Sequence, residues 1–284
     1  MAHPPAEISL TAEQVDVMIA AQHPRLRGPL ELAAHGWDND LFRLGDDLAV
    51  RLPRRAIAAA LVEHEQRWLP QLAPALPVPV PAPVAVGMPH AGYPWSWSIV
   101  PWFPGRAAFA DAPHDRDRIA ERLAEVLLAL HVPAPPDAPT NPSRGVSMAS
   151  RDPAMRERLA PHPELLAAWE QGLRSAPWEG PALWLHGDMH PGNVILAHGE
   201  VAAVVDFGDI TSGDPAADLA AAWLFFTPVG RAAFRTRLGD RYDQATWTRA
   251  RGWAAAFAGA VVDARDDELG AVGRHAARQI GADV

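Results

Sequence analysis

The stretch His186–Val194, "HGDMHPGNV", places two histidines, a carboxylate and an asparagine in nine residues that also contain Gly187, Pro191 and Gly192. Pro191-Gly192 is incompatible with a continuous helix, so His186 and His190 do not stand one helical turn apart as the histidines of an HExxH zinc motif do. The apolar "ALWLHG" before it, and "NVIL" then "EVAAVVDFGD" after it, read as short strands around a loop. Asp188, Asn193 and Asp206 then converge at one loop mouth.

An Asp, an Asn five residues later and a second Asp at the end of the next strand form the set that Mg²⁺-dependent phosphoryl transfer uses. The first carboxylate orients or deprotonates the attacking hydroxyl, while the Asn carbonyl and the later Asp supply the hard oxygen ligands that Mg²⁺ prefers. The rival account, two polar turns without chemistry, requires both segments to arise in register by coincidence.

Upstream of the loop, "TAEQVDVMIAAQ" (11–22) has a Thr cap and apolar residues at helical spacing. "DLFRLGDDLAVRLP" reads as an antiparallel hairpin turning at Gly45-Asp46, and "AIAAALVEHEQRWLPQL" from Ala56 as a helix up to Pro70. "PALPVPVPAPVAVG" is too rich in proline for a helix and reads as an extended connector, leading to a buried strand in "YPWSWSIVPWFPG". Helices dominate after residue 103. They are expected at "RDRIAERLAEVLLALHVP", around 155–174, near 215–226 and near 246–265.

"HGDMHPGN" followed by "VVDFGDITSGDPAADLA" resembles the aminoglycoside phosphotransferase family, relatives of the protein kinases by fold. The resemblance implies an α+β, two-lobed protein-kinase-like fold. A small β-rich nucleotide-binding lobe would span 1–102, and a larger, mostly helical catalytic and acceptor-binding lobe 103–284. It implies ATP or GTP as phosphoryl donor, Mg²⁺ as cofactor, Asp188 as catalytic base, and Asn193 with Asp206 as metal ligands.

In the N-terminal half, "LAVRLP" stands where the kinase-like third strand carries Ala-x-Lys. Ala49 would roof the adenine and Arg51 reach the phosphates, with Glu65 as the partner of Arg51 and Glu63 as the competing assignment. Arginine here departs from the family's lysine. Its guanidinium binds phosphate oxygens in a bidentate fashion and stays charged. "HGWDND" would be the phosphate-covering loop, with Gly36 and Asn39 as its contributors, and Trp102 would flank the base at the hinge 101–103.

Asp214 and Asp218 read as a helix cap and a brace for the loop backbone, and His186 as structural. The acidic "VVDARDDELG", with Asp263, Asp266, Asp267 and Glu268, is either part of an acceptor pocket or a solvated helix face.

Composition bounds the remainder. The 284 residues carry a formal charge of −9, no cysteine and no lysine, and all 25 basic residues are arginine. This argues against nucleic acid held on a basic face, suits a cationic acceptor, and excludes lysine chemistry and thiolate metal sites. No apolar run reaches membrane-spanning length and no secretory leader is evident, so no membrane partner and a cytoplasmic location are expected; oligomeric state is not legible.

The expected acceptor is a small hydroxylated molecule. An aminoglycoside-like antibiotic heads the list, followed by a macrolide or a metabolite of the choline or homoserine type. A Zn²⁺-dependent hydrolase built on His186, Asp188 and His190, and a catalytically silent kinase-like binding module, are the rival classes.

Overall fold

The structure, a computed structural model, describes residues 5–90, 92–264 and 268–283. Its chain divides into two compact units, a smaller one running to Pro74 and taking in Pro79–Pro104, and a larger one taking in Ala75–Val78 and everything from Gly105 on. The division therefore does not fall at a single point in the chain.

The smaller unit opens with α1 (Ala12–Gln22), whose start is fixed by a capping box. Thr11 Oγ1 accepts from Gln14 N at 3.3 Å and Gln14 Oε1 from Thr11 N at 2.8 Å. Five antiparallel strands follow: β1 (Leu30–His35), β2 (Asn39–Leu44), β3 (Leu48–Pro53), β4 (Ala85–Gly87) and β5 (Trp97–Pro101), in the spatial order β1-β2-β3-β5-β4. The turn between β2 and β3 uses Gly45 at φ 61°, as its sequence demanded.

Helix α2 (Ala56–Leu72) holds Pro70 in its last turn, where the lost N–H ends the helix two residues later. The core packs Val15, Met18 and Ile19 of α1 against Phe42, Val50, Leu52, Trp97 and Ile99 of the sheet. Removing the fully buried Trp97 side chain would cost about 3–5 kcal/mol.

The larger unit is mostly helical. It begins with β6 (Arg106–Ala107), α3 (Pro113–Arg116), α4 (Ala120–Leu130), α5 (Met148–Leu159) and α6 (Pro163–Arg174). The expected single helix around 155–174 is broken because Pro163 lacks an amide hydrogen and forces its predecessor out of the helical region, with His162 at φ −126°, ψ 81°.

Short strands come next: β7 (Leu183–Leu185), β8 (Val194–Ala197), β9 (Glu200–Val204) and β10 (Thr211–Gly213). Strand β8 pairs with β9 and β6, whereas β7 pairs with β10, so the two strands flanking the loop belong to different sheets. The chain ends with α7 (Ala216–Leu219), α8 (Ala221–Phe225), α9 (Pro228–Leu238), α10 (Gln244–Val261) and α11 (Glu268–Ala282). The helix expected over 215–226 is thus two short ones. Helices α6 and α10 pack along their length with Trp169 and Trp253 edge to face, 5.5 Å between centroids. Among the described residues no helix is long and apolar enough to cross a membrane.

Candidate active site

In the larger unit the loop that follows β7 is fastened from beneath by one carboxylate. Asp218 of α7 is wholly buried and accepts from His186 N at 2.7 Å and from Gly187 N at 2.9 Å. His131 Nε2 lies 3.1 Å from its Oδ2, and His131 Nδ1 is 2.7 Å from the Tyr242 hydroxyl. Burial alone would raise the pKa of Asp218, but the His131 hydrogen bond and the backbone amide of Gly187 hold it below the ordinary value. Gly187 adopts φ 84°, and a Cβ there would lie 2.3 Å from the Asp209 carbonyl oxygen, so the turn admits no side chain.

His186 is structural. Its Nδ1 accepts from Asp188 N at 3.2 Å and its Nε2 donates to Val205 O at 3.0 Å, which fixes the Nε2–H tautomer and commits both ring nitrogens. His190 Nδ1 accepts from Gly192 N at 3.0 Å, and its Nε2 faces Asp188 Oδ2 at 3.3 Å. The donor pair that a zinc hydrolase would need is therefore spent on the loop itself.

Asp188 is the point on which the loop's side chains converge. Arg144 Nη2 donates to Oδ1 at 3.0 Å, and Asn193 Nδ2 donates to the Asp188 carbonyl at 2.9 Å and to Oδ2 at 3.4 Å. The carboxylate is about a quarter exposed, at 23%. Burial pushes its pKa up, but the His190 Nε2 and the Arg144 guanidinium outweigh that and keep it well below the usual carboxylate range. It is ionised at neutral pH and faces the loop mouth as a hydrogen-bond acceptor.

Asn193 spends its amide nitrogen on Asp188, so its side-chain oxygen is the end left to accept or to ligate. Its backbone carbonyl accepts from Val205 N at 2.9 Å, so the next residue, Asp206, follows directly beside it. Asp206 is exposed and sits in the left-handed region at φ 60°, ψ 64°. One amide oxygen and one carboxylate on adjoining backbone are hard donors of the kind Mg²⁺ takes while keeping waters and phosphate oxygens in its other positions. No group of three or more His, Cys, Asp or Glu suited to a metal occurs among the described residues.

Three residues of this cluster escaped the sequence reading: Arg144, Asn141 and Asp209. Asn141 Nδ2 donates to Asp209 Oδ1 at 2.7 Å, and Arg144 Nε lies 3.8 Å from Asp209 Oδ2. Burial raises the pKa of Asp209, and Asp188 and Asp206 add to the rise while Arg144 and Asn141 oppose it. Asp209 lies three residues beyond Asp206 in "DFGD", and that second Asp was a legible signal; "NPSRG" offered none. Asp214, two residues ahead of α7, is not its cap; it accepts from Ala216 N at 3.0 Å in a local turn and pairs with Arg249 Nε at 2.7 Å.

In the smaller unit Arg51 pairs with Glu65 through Nη1 and Oε1 at 3.0 Å, both side chains nearly buried, whereas Glu63 accepts from Ser96 Oγ at 3.2 Å. Asn39 begins β2 and lies outside the loop. With its amide oxygen turned to the guanidinium it accepts from Arg51 Nε at 3.2 Å and Nη2 at 3.0 Å. In this position its side chain holds the Arg51 guanidinium.

The Gly36 N–H is also spent, donating to Asn39 O at 2.8 Å. Arg54 closes the same turn from β3's end by donating to Gly36 O at 2.7 Å and bridging Asp40 at 3.1 Å, and Arg55 bonds Asp38. Ala49 is buried on β3, two residues from Arg51. Trp102 is half-buried under the Arg43 guanidinium, 5.2 Å from its ring centroid, and its backbone N–H donates to Asp47 O at 2.7 Å. Since Pro101 has no N–H, a backbone donor at 101–103 falls to Phe103.

Of the acidic stretch near the C-terminus, Asp263 is exposed beside His162 at 3.2 Å and Glu268 starts α11, while Asp266 and Asp267 lie outside the described residues.

The family model described as the phosphotransferase enzyme family (APH) matches residues 29–253. No curated protein matches the sequence. Among solved structures, the GDP complex of wild-type aminoglycoside 2'-phosphotransferase-IIIa superposes with a TM-score of 0.70 at 17% identity, covering 96% of this chain and 99% of that one. Macrolide 2'-phosphotransferase MphH from Brachybacterium faecium gives 0.60 at 22% identity over 95% and 97%. The streptomycin-ATP ternary complex of APH(2")-IIa gives 0.60 at 19% identity over 96% and 97%. At these identities the likeness is one of fold.

Proposed function

Because the chain belongs to the phosphotransferase enzyme family, we propose that it moves the γ-phosphoryl group of ATP or GTP to a hydroxyl of a small organic acceptor. Aminoglycosides, macrolides and hydroxylated metabolites are the acceptor classes to distinguish. The observation that carries this reading is the ionised Asp188, held by Arg144 on one oxygen and by the loop's own Asn193 and His190 on the other.

Asp188 accepts the hydrogen bond of the acceptor hydroxyl and aims its oxygen at the γ-phosphorus. As the new P–O bond forms and the bond to the nucleoside diphosphate breaks, the hydroxyl proton passes to Asp188. A carboxylate held this far below its ordinary range is a weak base, so its larger contribution is orientation, in keeping with a loose transition state that needs little proton removal. Arg51, fixed by Glu65 and Asn39, binds phosphate oxygens. Asn193 Oδ1 and Asp206 would hold Mg²⁺, which when bound neutralises charge on the phosphates. The GDP and ATP bound in two of the structural neighbours support a purine nucleotide as donor.

Nucleotide consumption, followed by phosphorus NMR of the products over a panel of kanamycin, a macrolide, choline and homoserine, tests the proposal. Asp188→Ala is expected to lower kcat by ~10²–10⁴ while nucleotide affinity stays within about twofold. Unchanged turnover would remove Asp188 from the reaction. Bound zinc with hydrolysis in the absence of nucleotide would favour the hydrolase instead.

A further inference from the structure

The segment 139–145, between α4 and α5, is tied to β10 at both of its ends. Ser212 N donates to Pro139 O at 3.1 Å, and Thr211 Oγ1 donates to the same oxygen at 3.2 Å. At the far end Asp214 N donates to Gly145 O at 3.0 Å. Gly145 stands at φ 66°, and a Cβ there would lie 2.6 Å from Leu185 Cδ1, so this strap runs tight against the end of β7. Strand β10 pairs with β7, Thr211 opposite Leu185, and the Asp188 loop leaves from Leu185. Strap, strands and loop therefore share one frame.

Two side chains of the strap turn back toward that loop. Asn141 Oδ1 accepts from Ser143 N at 2.8 Å, closing an Asx turn, and Asn141 Nδ2 donates to Asp209 Oδ1 at 2.7 Å. Arg144 follows the turn, with Nη2 on Asp188 Oδ1 at 3.0 Å and Nε 3.8 Å from Asp209 Oδ2. Asn141 thus holds the carboxylate that flanks Arg144, and Arg144 holds Asp188.

The distances decide which contact orients Asp188. The χ2 torsion of an aspartate is broad and nearly two-fold, so the carboxylate keeps one orientation only if its two oxygens meet different partners. On Oδ2, His190 Nε2 lies at 3.3 Å and Asn193 Nδ2 at 3.4 Å, long beside the about 2.7–2.9 Å of good charged hydrogen bonds. Asn193 makes its better bond, at 2.9 Å, to the Asp188 carbonyl. Arg144 makes the shortest side-chain contact to the carboxylate and, among the described residues, the only one to Oδ1.

We propose that Arg144 is a positioning residue: carried by the strap on β10, it fixes the rotation of the Asp188 carboxylate so that one oxygen is presented to the acceptor hydroxyl. It acts through Asp188 and needs no contact with nucleotide or acceptor. This rests on the phosphotransferase reading for what Asp188 does, and on the hydrogen bonds of the strap for where Asp188 points.

Kinetics test the first part. Arg144→Met removes the charge and every donor, while Arg144→Gln keeps one donor without charge. The Arg144 side chain is one-third exposed, so the pair adds little to stability and Tm is expected within about 2 °C of the parent. Turnover of Mg²⁺-ATP is measured with water as acceptor and with the best acceptor of the panel above. In Arg144→Met kcat is expected to fall by ~10–100-fold while KM for ATP stays within about twofold, the split that misplacement of a reacting group produces.

In the Asp188→Ala background the same substitution is expected to change kcat by less than about twofold, because no carboxylate is left to orient. An unchanged kcat in Arg144→Met, or a loss of equal size in both backgrounds, overturns the proposal. Should Arg144→Met fail to fold, Arg144→Gln takes its place under the same two criteria, with a smaller loss expected.

The second part needs no turnover. In nitrogen NMR spectra of the arginine guanidinium groups, the signal missing from Arg144→Gln identifies Arg144. That signal is expected to move in Asp188→Ala; a signal that stays in place means the pair is not made in solution and overturns the proposal. Absence of phosphoryl transfer to every acceptor and to water would count against the phosphotransferase reading, and the resonance would still decide whether Arg144 holds Asp188.

Discussion

Removing the Asp218 carboxylate should unfasten the loop that carries Asp188. In Asp218→Ala two fully buried backbone N–H groups, those of His186 and Gly187, lose their acceptor, and His131 loses the partner of its Nε2. A buried donor left unsatisfied costs about 1–3 kcal/mol, and this substitution leaves three of them, the two amides and the His131 Nε2. These overlap, so the expected destabilisation is about 3–5 kcal/mol. For a unit of this size about 2–3 °C accompanies each kcal/mol, which gives a Tm lowered by roughly 6–15 °C.

The pH dependence adds a second signature. Asp218 has a depressed native pKa, so its stabilisation is fully present above the unfolded value near ~3.9 and disappears as pH falls through the lower native value. The gap between parent and variant should be flat from neutral pH to about pH 5 and close below about pH 4. Thermal melts by circular dichroism across that range provide the assay, with turnover as the functional readout. A Tm within about 2 °C of the parent at pH 7, or a gap that persists unchanged in strong acid, would refute the brace.

Three further outcomes are expected. His275 on α11 is buried, and burial first, then Arg116, lowers its pKa to about 4; its neutral native form should cost the protein stability as pH falls from about 6.5 to 4, by ~3 kcal/mol, and His275→Gln should flatten denaturant midpoints over that window. Gly187→Ala should abolish turnover and lower Tm by several degrees, because φ 84° is strained for alanine and its Cβ would meet Asp209 O at 2.3 Å; full activity in a crystallographically unshifted loop would contradict this. Asp206→Ala should weaken Mg²⁺-dependent nucleotide binding by ~10-fold or more in calorimetry while leaving binding in EDTA unchanged.

How much of this was legible follows from which side chains were involved. The hairpin at Gly45, the capped helix at Thr11 and the strand ending at Pro101 depend on local rules, and local sequence states them. Strand β1 was missed because nearly all of its side chains are exposed, so it carries no alternation; α9 and α11 were missed among alanines and glycines that blur helical periodicity. The break at Pro163 had a written signal that the longer pattern overrode. The choice of Glu65 over Glu63 needed the angular position of each on α2, and only Glu65 is buried toward Arg51. Arg144 meets Asp188 across 44 residues, a separation at which no spacing rule operates.

The ion pair of Arg51 with Glu65 bears on how this protein would be found in a cell extract. Acyl-phosphate nucleotide probes identify nucleotide-binding enzymes by acylating an amine beside the phosphates, and a guanidinium paired on both flanks is inert to them. With no lysine anywhere in the chain, the proposed phosphate-binding role of Arg51 would leave such probes no ε-amine to acylate. Reversible capture on immobilised nucleotide, which asks only for the shape and charge of the phosphates, is the enrichment that the proposed site would permit.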